Sequence, residues 1–305
     1  MKKYFMRRVL QIIPVLIIIS FIVFCLLYVA GDPVSLMLPE DATQEDIDNL
    51  REALGLDRPF IVQYGTFVIN MFTFDFGDSY RYNAEALPIV LERLPATLSL
   101  ALTSMIVAII IAIPLGIWSA TKRNSFLDLF ATGASVLGKA LPNFWLGIML
   151  ILVFSVMWQI FPVSGTGTWL HFVLPSITLG TASAAEITRL VRSNMVEILG
   201  QEYIKTAKSK GLNNSIVVYK HAFRNSLVPV ITIVFLQISS LVSGALITEV
   251  VFSWPGLGQL LIQAVNARDM AIVQAAVFVI SFMIIGLNLL ADILYHLLDP
   301  RVQYN

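Results

Sequence analysis

Apolar residues gather in long runs along this chain, and polar residues are concentrated between the runs. Six runs reach the roughly 20 residues that a helix needs to cross a bilayer; they cover residues 9–30, 97–119, 129–160, 173–195, 228–251 and 273–298. The third run contains Pro142, which can kink a membrane helix or set a short helix apart from a span. The pattern predicts an all-α polytopic membrane protein with six transmembrane helices.

Composition agrees with this prediction and narrows the function. Hydrophobic residues make up 57% of the chain and charged residues 13%, against about 25% charged in a soluble domain. The single cysteine, Cys25, excludes an internal disulfide, and the three histidines are too far apart to suggest a metal site. The chain has neither an HExxH motif nor a serine in a GxSxG turn. We therefore expect no catalysis, no bound metal and no nucleic-acid partner.

The charges in the segments that flank the apolar runs indicate the orientation of the chain in the membrane. Residues 9–30 follow a basic start but exceed the usual signal-peptide core, so residues 1–30 are interpreted as an N-terminal segment and a retained first helix. With the N-terminus inside, 14 Lys and Arg residues fall on the cytoplasmic side and 5 on the outside. Because cytoplasmic loops carry the excess of positive charge, both termini are predicted to be cytoplasmic.

The first outer loop, residues 31–96, differs from the rest because it holds 12 acidic and 4 basic residues. Residues 43–54 predict an amphipathic helix with Thr43 as its N-cap, Asp46 three residues on, and Gly55 after its end. Ile47, Leu50 and Leu54 would share one face, and Pro59 prevents continuation of the helix. The loop is a small folded extracytoplasmic cap or, alternatively, a solvated acidic segment. Residues 97–305 would then form a five-helix core.

One motif imitates a nucleotide site. Residues 133–139, GASVLGK, fit the first seven positions of a phosphate-binding loop, but the eighth position is Ala140 where Ser or Thr must bind magnesium. No strand precedes the motif, and it leads into a membrane helix. We therefore expect no nucleotide to bind this chain.

A basic stretch interrupts the apolar pattern at residues 205–229, KTAKSKGLNNSIVVYKHAFRNSLVP. It predicts a helix over 201–210, a left-handed Gly211, and a second helix over 215–224 capped by Asn213 or Asn214, with Pro229 opening the next span. Such a segment could bind anionic lipid. A glycine hinge between capped helices favours docking into a partner's groove instead.

At this point the sequence resembles the permeases of binding-protein-dependent ABC importers, specifically the dipeptide/oligopeptide/nickel group. The cytoplasmic "EAA" loop of that family is similar to TAKSKGL (206–212) and HAFRNSLVPVIT (221–232). Further matches extend over nearly the whole chain and look especially close to the glutathione permeases: RRVLQIIPVLIIISFIVF (7–24), GDP (31–33), DFGDSY (75–80), RLPATLSLAL (93–102), VLPSITLG (173–180), VVFSWPGLGQLLIQAV (250–265), RDMAIVQA (268–275) and DPR (299–301).

The resemblance implies a coupling loop over 196–227 that docks onto a cytoplasmic ATPase. The residues that it assigns to docking are Lys205, Thr206, Ala207, Lys208, Gly211, Leu212, Ile216, Lys220 and Arg224. The family pattern begins with Glu, Ala and Ala. The sequence departs from this pattern because Lys205 and Thr206 occupy the first two of these positions, and only the third, Ala207, matches. Implied partners are a related second permease, two ATPase subunits that carry ATP and magnesium, a substrate-binding protein and a short peptide, in a bacterial inner membrane.

Charged residues inside the predicted spans are the candidates for the translocation path, because such charges usually face a cavity or a partner. They are Lys139, Glu186, Arg189, Glu249 and, near the inner end of the sixth run, Asp292. Glu186 and Arg189 are three residues apart and could pair on one helix face, either to hold helices together or to contact a zwitterionic substrate.

The outer mouth holds a second candidate, the turn Trp254, Pro255, Gly256, Leu257 and Gly258. This turn would form a gate, a binding-protein contact or simply a tight loop. Two functional alternatives to a peptide permease stay open: a nickel or metallophore permease of the same family, and an autonomous secondary transporter. The missing nucleophile and metal motifs disfavour an intramembrane enzyme.

Overall fold

The computed structural model describes residues 14, 17–22, 24, 25, 34, 38, 42–53 and 55–298. Most of the first predicted span, at 9–30, lies outside the described residues, as do Leu54 and the terminal DPR sequence. The described chain is almost entirely helical, and long apolar helices dominate it. The protein is an all-α polytopic membrane protein.

Ten α-helices, numbered along the described chain, account for most of the structure. They are α1 (Gln44–Ala53), α2 (Phe60–Thr73), α3 (Ala86–Thr121), α4 (Phe126–Ala140), α5 (Asn143–Leu150), α6 (Leu170–Leu199), α7 (Glu202–Ser209), α8 (Arg224–Val251), α9 (Leu257–Ala267) and α10 (Met270–Leu298). Two π-helical segments, Ile151–Met157 and Ile216–Phe223, continue α5 and lead into α8. A short antiparallel ladder pairs β1 (Asp78–Ser79) with β2 (Ala84–Glu85).

Among the described residues, three helices are long and apolar enough to cross a bilayer: Ala86–Thr121, Ile216–Val251 and Met270–Leu294. A fourth span results if α4 is counted as one bent span together with Asn143–Met157, which comprises α5 and the π-helical turns after it. Helix α6 covers the run predicted at 173–195 but is less apolar, because small polar residues and charges interrupt it. The count of six spans stays a prediction.

The run predicted at 129–160 is broken. Helices α4 and α5 meet at an angle of 107°. Leu141 is extended, with φ −77° and ψ 131°, because the ring of Pro142 excludes the α conformation from the preceding residue. Pro142 in turn takes the N-cap position of α5, where its missing N–H costs nothing.

The segment predicted as the acidic loop holds more structure than the one helix expected there. Helix α3 begins at Ala86 rather than near residue 97, and Pro88 sits in its first turn, where helical N–H groups have no partner. Helix α2 was not predicted; Pro59 ends the preceding segment but serves as the N-cap of α2.

The predicted short helix is present as α1. The Thr43 backbone N–H donates to Asp46 Oδ2 at 3.0 Å, and the Asp46 N–H donates to Thr43 Oγ1 at 3.3 Å. The hydrogen bonds from Thr43 hold the pKa of Asp46 below its ordinary value. Gly55 closes the helix at φ 68°, with the Leu56 N–H donating to the Arg51 carbonyl at 2.9 Å. No residue of α1 is fully buried, and Ile47 and Leu50 of the predicted apolar face are half-buried.

The chain divides into two compact units. One comprises Met1–Ala96 and Pro255–Gly286, and the other Thr97–Trp254 and Leu287–Asn305. In the first unit, Phe278 of α10 contacts the rings of Phe74 and Phe76, with centroids 5.8 and 5.3 Å apart.

In the second unit, α6 packs against α4, α5 and α8. Its contact with α3 is closest at Gly180, where an added Cβ would lie 2.6 Å from the Ser104 carbonyl oxygen. Because backbone cannot retreat as a flexible side chain can, α3 and α6 require a glycine at this crossing.

Candidate functional site

The segment predicted to couple the chain to an ATPase, residues 196–227, lies entirely within the second unit. Gly211 takes φ +77°, and nothing lies within 4 Å of an added Cβ. The Gly211 N–H donates to the Lys208 carbonyl at 2.9 Å and the Leu212 N–H to that of Ala207 at 3.4 Å, which ends α7. The Asn213 side chain then accepts from the Ser215 N–H at 3.0 Å and starts the next helix.

The two helical parts of this segment pack on each other through small and branched apolar side chains. Ile204 and Ala207 of α7 are buried, as are Val217, Val218 and Ala222 of the π-helical part. The Asn225 side chain adds a hydrogen bond of 2.9 Å to the Tyr203 hydroxyl. The segment is therefore a pre-formed unit and not a flexible linker.

The predicted docking residues share an exposed surface with one exception. Ala207 is buried, while the others are exposed: Lys205, Thr206, Lys208, Gly211, Leu212, Ile216, Lys220 and Arg224. Lys205, which replaces the family's Glu, forms an ion pair of 2.7 Å with Glu202 one turn earlier. The carboxylate of Glu202 thus lies next to the position of the family's Glu, but it comes from one helical turn earlier in the chain.

One part of the predicted hairpin is wrong. The second helix does not stop before Pro229 but runs on, so that Ile216–Val251 is one helix of 36 residues. Pro229 lies inside α8. The π-helical turns just before it shift the hydrogen-bond register, which is one way in which membrane helices accommodate a proline.

A polar cluster joins three helices of the second unit. Lys139 Nζ at the end of α4 lies 2.5 Å from Glu186 Oε1 of α6. The Gln237 side-chain amide of α8 donates to Glu186 Oε2. Sequence reasoning singled out Lys139 and Glu186 but missed Gln237, since an uncharged residue in an apolar run gives little signal.

The expected pairing of Glu186 with Arg189 is wrong. Both oxygens of Glu186 are taken by groups from other helices, and spacing along one helix permits a pair without requiring it. Arg189 is exposed, and no ion pair to it is found within the described part of the chain.

A second ion pair, not predicted, lies at the ends of α3, α4 and α6. Arg192 binds Asp128 in a bidentate manner, with Nε 2.6 Å from Oδ1 and an N–H donor 2.9 Å from Oδ2. The Ser119 hydroxyl and the Asn124 backbone N–H also donate to this carboxylate. Asp128 is only 5% exposed, and the Arg192 side chain is 32% exposed, so the pair joins the helices through a buried carboxylate.

Glu249 does not face an open path in this structure. It is fully buried, and Thr97 Oγ1 of α3 donates to its Oε1 at 2.6 Å. The backbone N–H of Trp254 donates to the Glu249 carbonyl at 2.8 Å, and the buried Trp254 ring packs edge-on against Phe172 at 4.5 Å.

The rest of the predicted outer-mouth turn is likewise packed. Gly256, Leu257 and Gly258 are buried and Pro255 is half-buried, while Gly256 is the N-cap of α9. These residues form a packed turn in the chain, and a gate or a binding-protein contact at this turn stays a prediction.

In the first unit, two of the segments that carried the family resemblance come together. The Ser79 hydroxyl of DFGDSY donates to the Asp269 carboxylate of RDMAIVQA, and the Tyr80 hydroxyl donates to the Ala267 carbonyl. Asp269 Oδ1 also accepts from the Ile272 N–H at 3.3 Å and so caps α10. Burial, and then the charge of Asp269, raise the pKa of Tyr80.

Residues 133–139, which resemble a phosphate-binding loop in sequence, do not form a loop but lie within α4. Among the described residues, no three His, Cys, Asp or Glu side chains gather as a metal site would require.

Comparisons with known proteins account for this arrangement. The profile of the binding-protein-dependent transport system inner membrane component matches residues 112–304, and the profile of the N-terminal part of such membrane components matches residues 1–101. The chain is 40% identical to the oligopeptide transport system permease protein AppB of Bacillus subtilis (strain 168). It is 39% identical to the glutathione transport system permease protein GsiC of Pectobacterium atrosepticum. Both alignments cover 100% of each chain.

A solved structure of the MetNI methionine ABC transporter, in an inward facing conformation, superposes with a TM-score of 0.56 at 16% identity. The superposition covers 69% of this chain and 96% of that one, which shows a common fold. Together with the profile matches along the chain, these relations settle the family. This chain belongs to the binding-protein-dependent transport system inner membrane components.

Proposed function

We propose that this chain is the permease subunit of an ATP-driven importer that carries short peptides into the cytoplasm. The single observation that carries the proposal is full-length similarity to permeases named for oligopeptide, dipeptide and glutathione transport, at 37–40% identity. Because these relatives are permease subunits, the chain is a transport subunit and not an enzyme.

The coupling segment supports the proposed division of labour. Its exposed face combines cationic side chains with Leu212 and Ile216, on a base held rigid by the packing of α7 on the π-helical turns. Such a surface suits the groove of a soluble partner. An ATP-hydrolysing subunit bound there would hold ATP and magnesium itself, and its movement would pass to α8 without an intervening joint.

The remaining partners follow from the same proposal. A related second permease completes the pathway, a second ATPase subunit serves it, and an extracytoplasmic binding protein delivers the peptide. Both termini and residues 196–227 then lie in the cytoplasm of a bacterium, and residues 42–85 lie outside the inner membrane. The excess of Lys and Arg in the inward segments supports this orientation.

Two alternatives are less well supported. The relatives reported above are named for peptides, which does not favour nickel or a metallophore as substrate. A secondary transporter would have no use for a pre-formed cytoplasmic docking segment.

The test is reconstitution of the chain with its second permease, ATPases and binding protein in proteoliposomes. We expect uptake of radiolabelled tri-alanine that depends on ATP and on the binding protein. A matched preparation with an ATPase that cannot hydrolyse ATP is the control. Uptake of nickel without uptake of peptide would favour the metal alternative, and uptake driven by an ion gradient without ATP would exclude the proposal.

A further inference from the structure

The cluster of Lys139, Glu186 and Gln237 lies deep in the predicted membrane region. Glu186 is near the middle of α6, and Gln237 is near the middle of α8. Lys139 ends α4, immediately before the 107° bend that divides the α4–α5 pair. Charges at such depth are costly, and broken helices at the midplane are where transporters place their substrate sites.

The position of Lys139 is fixed by the backbone next to it. Gly138 is buried, and an added Cβ would lie 3.0 Å from Thr181 Cγ2 of α6. This close approach holds the last turn of α4 against α6, one turn from Glu186. The ion pair therefore results from helix packing and not from a chance encounter of two long side chains.

The cluster differs from the Asp128–Arg192 pair in the exposure of its carboxylate. The side chain of Glu186 is 31% exposed and that of Asp128 is 7% exposed, while the cations Lys139 and Arg192 are 54% and 32% exposed. Asp128 has the fork of Arg192, a hydroxyl and a backbone N–H around it. Glu186 is bound by one ammonium and one amide, so a second ammonium group can replace Lys139 at the carboxylate while the amide stays in place.

We propose that the Lys139–Glu186 pair binds the two charged ends of a peptide by exchange, a role that rests on the proposed peptide import. The peptide's ammonium group takes the place of Lys139 at Glu186, and Lys139 binds the peptide's carboxylate. Gln237 stays on Glu186 Oε2 and holds it in place.

The electrostatics of the exchange explain its selectivity. Two ion pairs replace one ion pair and a solvated zwitterion, so every charge remains paired away from bulk water. A peptide with an acetylated amine would draw Lys139 away and leave Glu186 with Gln237 alone. A peptide with an amidated carboxyl would leave Lys139 without an anion. Either blocked peptide meets a penalty that the zwitterion does not.

The test compares tri-alanine with N-acetyl-tri-alanine and tri-alanine amide in the reconstituted importer. Uptake is expressed per ATP hydrolysed and normalised to the occupancy of the binding protein by each peptide. The variant is the double substitution Lys139→Met and Glu186→Gln, which leaves no unpaired charge. The matched control carries Lys122→Met and Glu92→Gln, two exposed positions outside both the cluster and the coupling segment.

We expect the double variant to lose about tenfold in tri-alanine uptake. The ratio of tri-alanine uptake to blocked-peptide uptake falls toward one in this variant. Its complex yield and ATPase stimulation match those of the control variant. An unchanged preference, or a loss of complex yield that marks the pair as structural, would overturn the exchange role. If the unaltered importer takes up no peptide at all, the proposed function itself fails, so the two failures are distinguishable.

Discussion

Ser79 donates a hydrogen bond to Asp269 across 190 positions of sequence, within one compact unit. The same carboxylate caps α10 through the Ile272 N–H. Both residues are almost completely buried, so this one side chain joins the short β-ladder to the start of a long apolar helix.

Substituting the two ends of this contact should have unequal effects. Asp269→Ala removes a cap and a charged acceptor together, and we expect a loss of about 2–4 kcal/mol in the free energy of unfolding. Ser79→Ala removes one donor and should cost about 1–2 kcal/mol. Denaturation in detergent measures both, with Asp78→Ala on the exposed hairpin as a control within about 0.5 kcal/mol. Equal losses from Asp269→Ala and Ser79→Ala would mean that the cap contributes nothing.

Gly211→Val should uncouple ATP hydrolysis from uptake while membrane insertion remains normal. Since nothing lies near an added Cβ, the penalty is conformational, at about 1–2 kcal/mol for a left-handed residue and more for a β-branched one. Gly211→Asn is the matched control, because Asn tolerates this conformation. Uptake and ATPase activity of the assembled importer are measured together. Normal coupling in the Val variant would remove the main support for docking at this turn.

Labelling of single cysteines tests the proposed topology in a Cys25→Ala background. Four asparagines are exposed, three of them in loops and Asn266 in the last turn of α9, so that access depends on the side of the membrane. A membrane-impermeant thiol reagent added outside should modify cysteines at Asn83 and Asn266 and spare those at Asn124 and Asn213. Modification at Asn213 from outside would place the coupling segment out of reach of any cytoplasmic ATPase.

The N-terminal turn of α1 should loosen in acid. The Asp46 carboxylate accepts from Thr43, which depresses its pKa below the ordinary 3.8. A depressed pKa means that the charged form stabilises the folded turn. That contribution is present above the ordinary pKa and is lost as pH falls through the folded value. Hydrogen exchange of the α1 amides across this acid range measures the effect. In Asp46→Asn the pH dependence should disappear; its persistence would assign the effect to another group.

Local features of this fold could be predicted from sequence because neighbours determine them. Thr43, Asp46, Gly55 and Gly211 all act as caps, and a cap depends on a few adjacent residues. Helix α3 extends before the apolar run predicted at 97–119, because an apolar run marks the part of a helix that can lie in lipid, whereas the helix itself includes Pro88 and Glu92.

The polar contacts could not be predicted in the same way, because their partners come from distant helices. Glu186 meets Lys139 from 47 positions away and Gln237 from 51 positions away. Helix spacing identified Arg189 as the nearest candidate, but crossing geometry, set at glycines such as Gly138, decides which charges meet.

The helix from Ile216 to Val251 is continuous, and under the proposed docking at its first turns it would act as a lever. Its 36 residues span about 54 Å, so a tilt of about 5° at the docking end would carry the far end sideways by about 5 Å. Gln237 belongs to this helix, and its side-chain amide donates a hydrogen bond to Glu186. Under the proposed docking, a movement that begins at Ile216 would therefore reach the Lys139–Glu186 pair along one continuous helix.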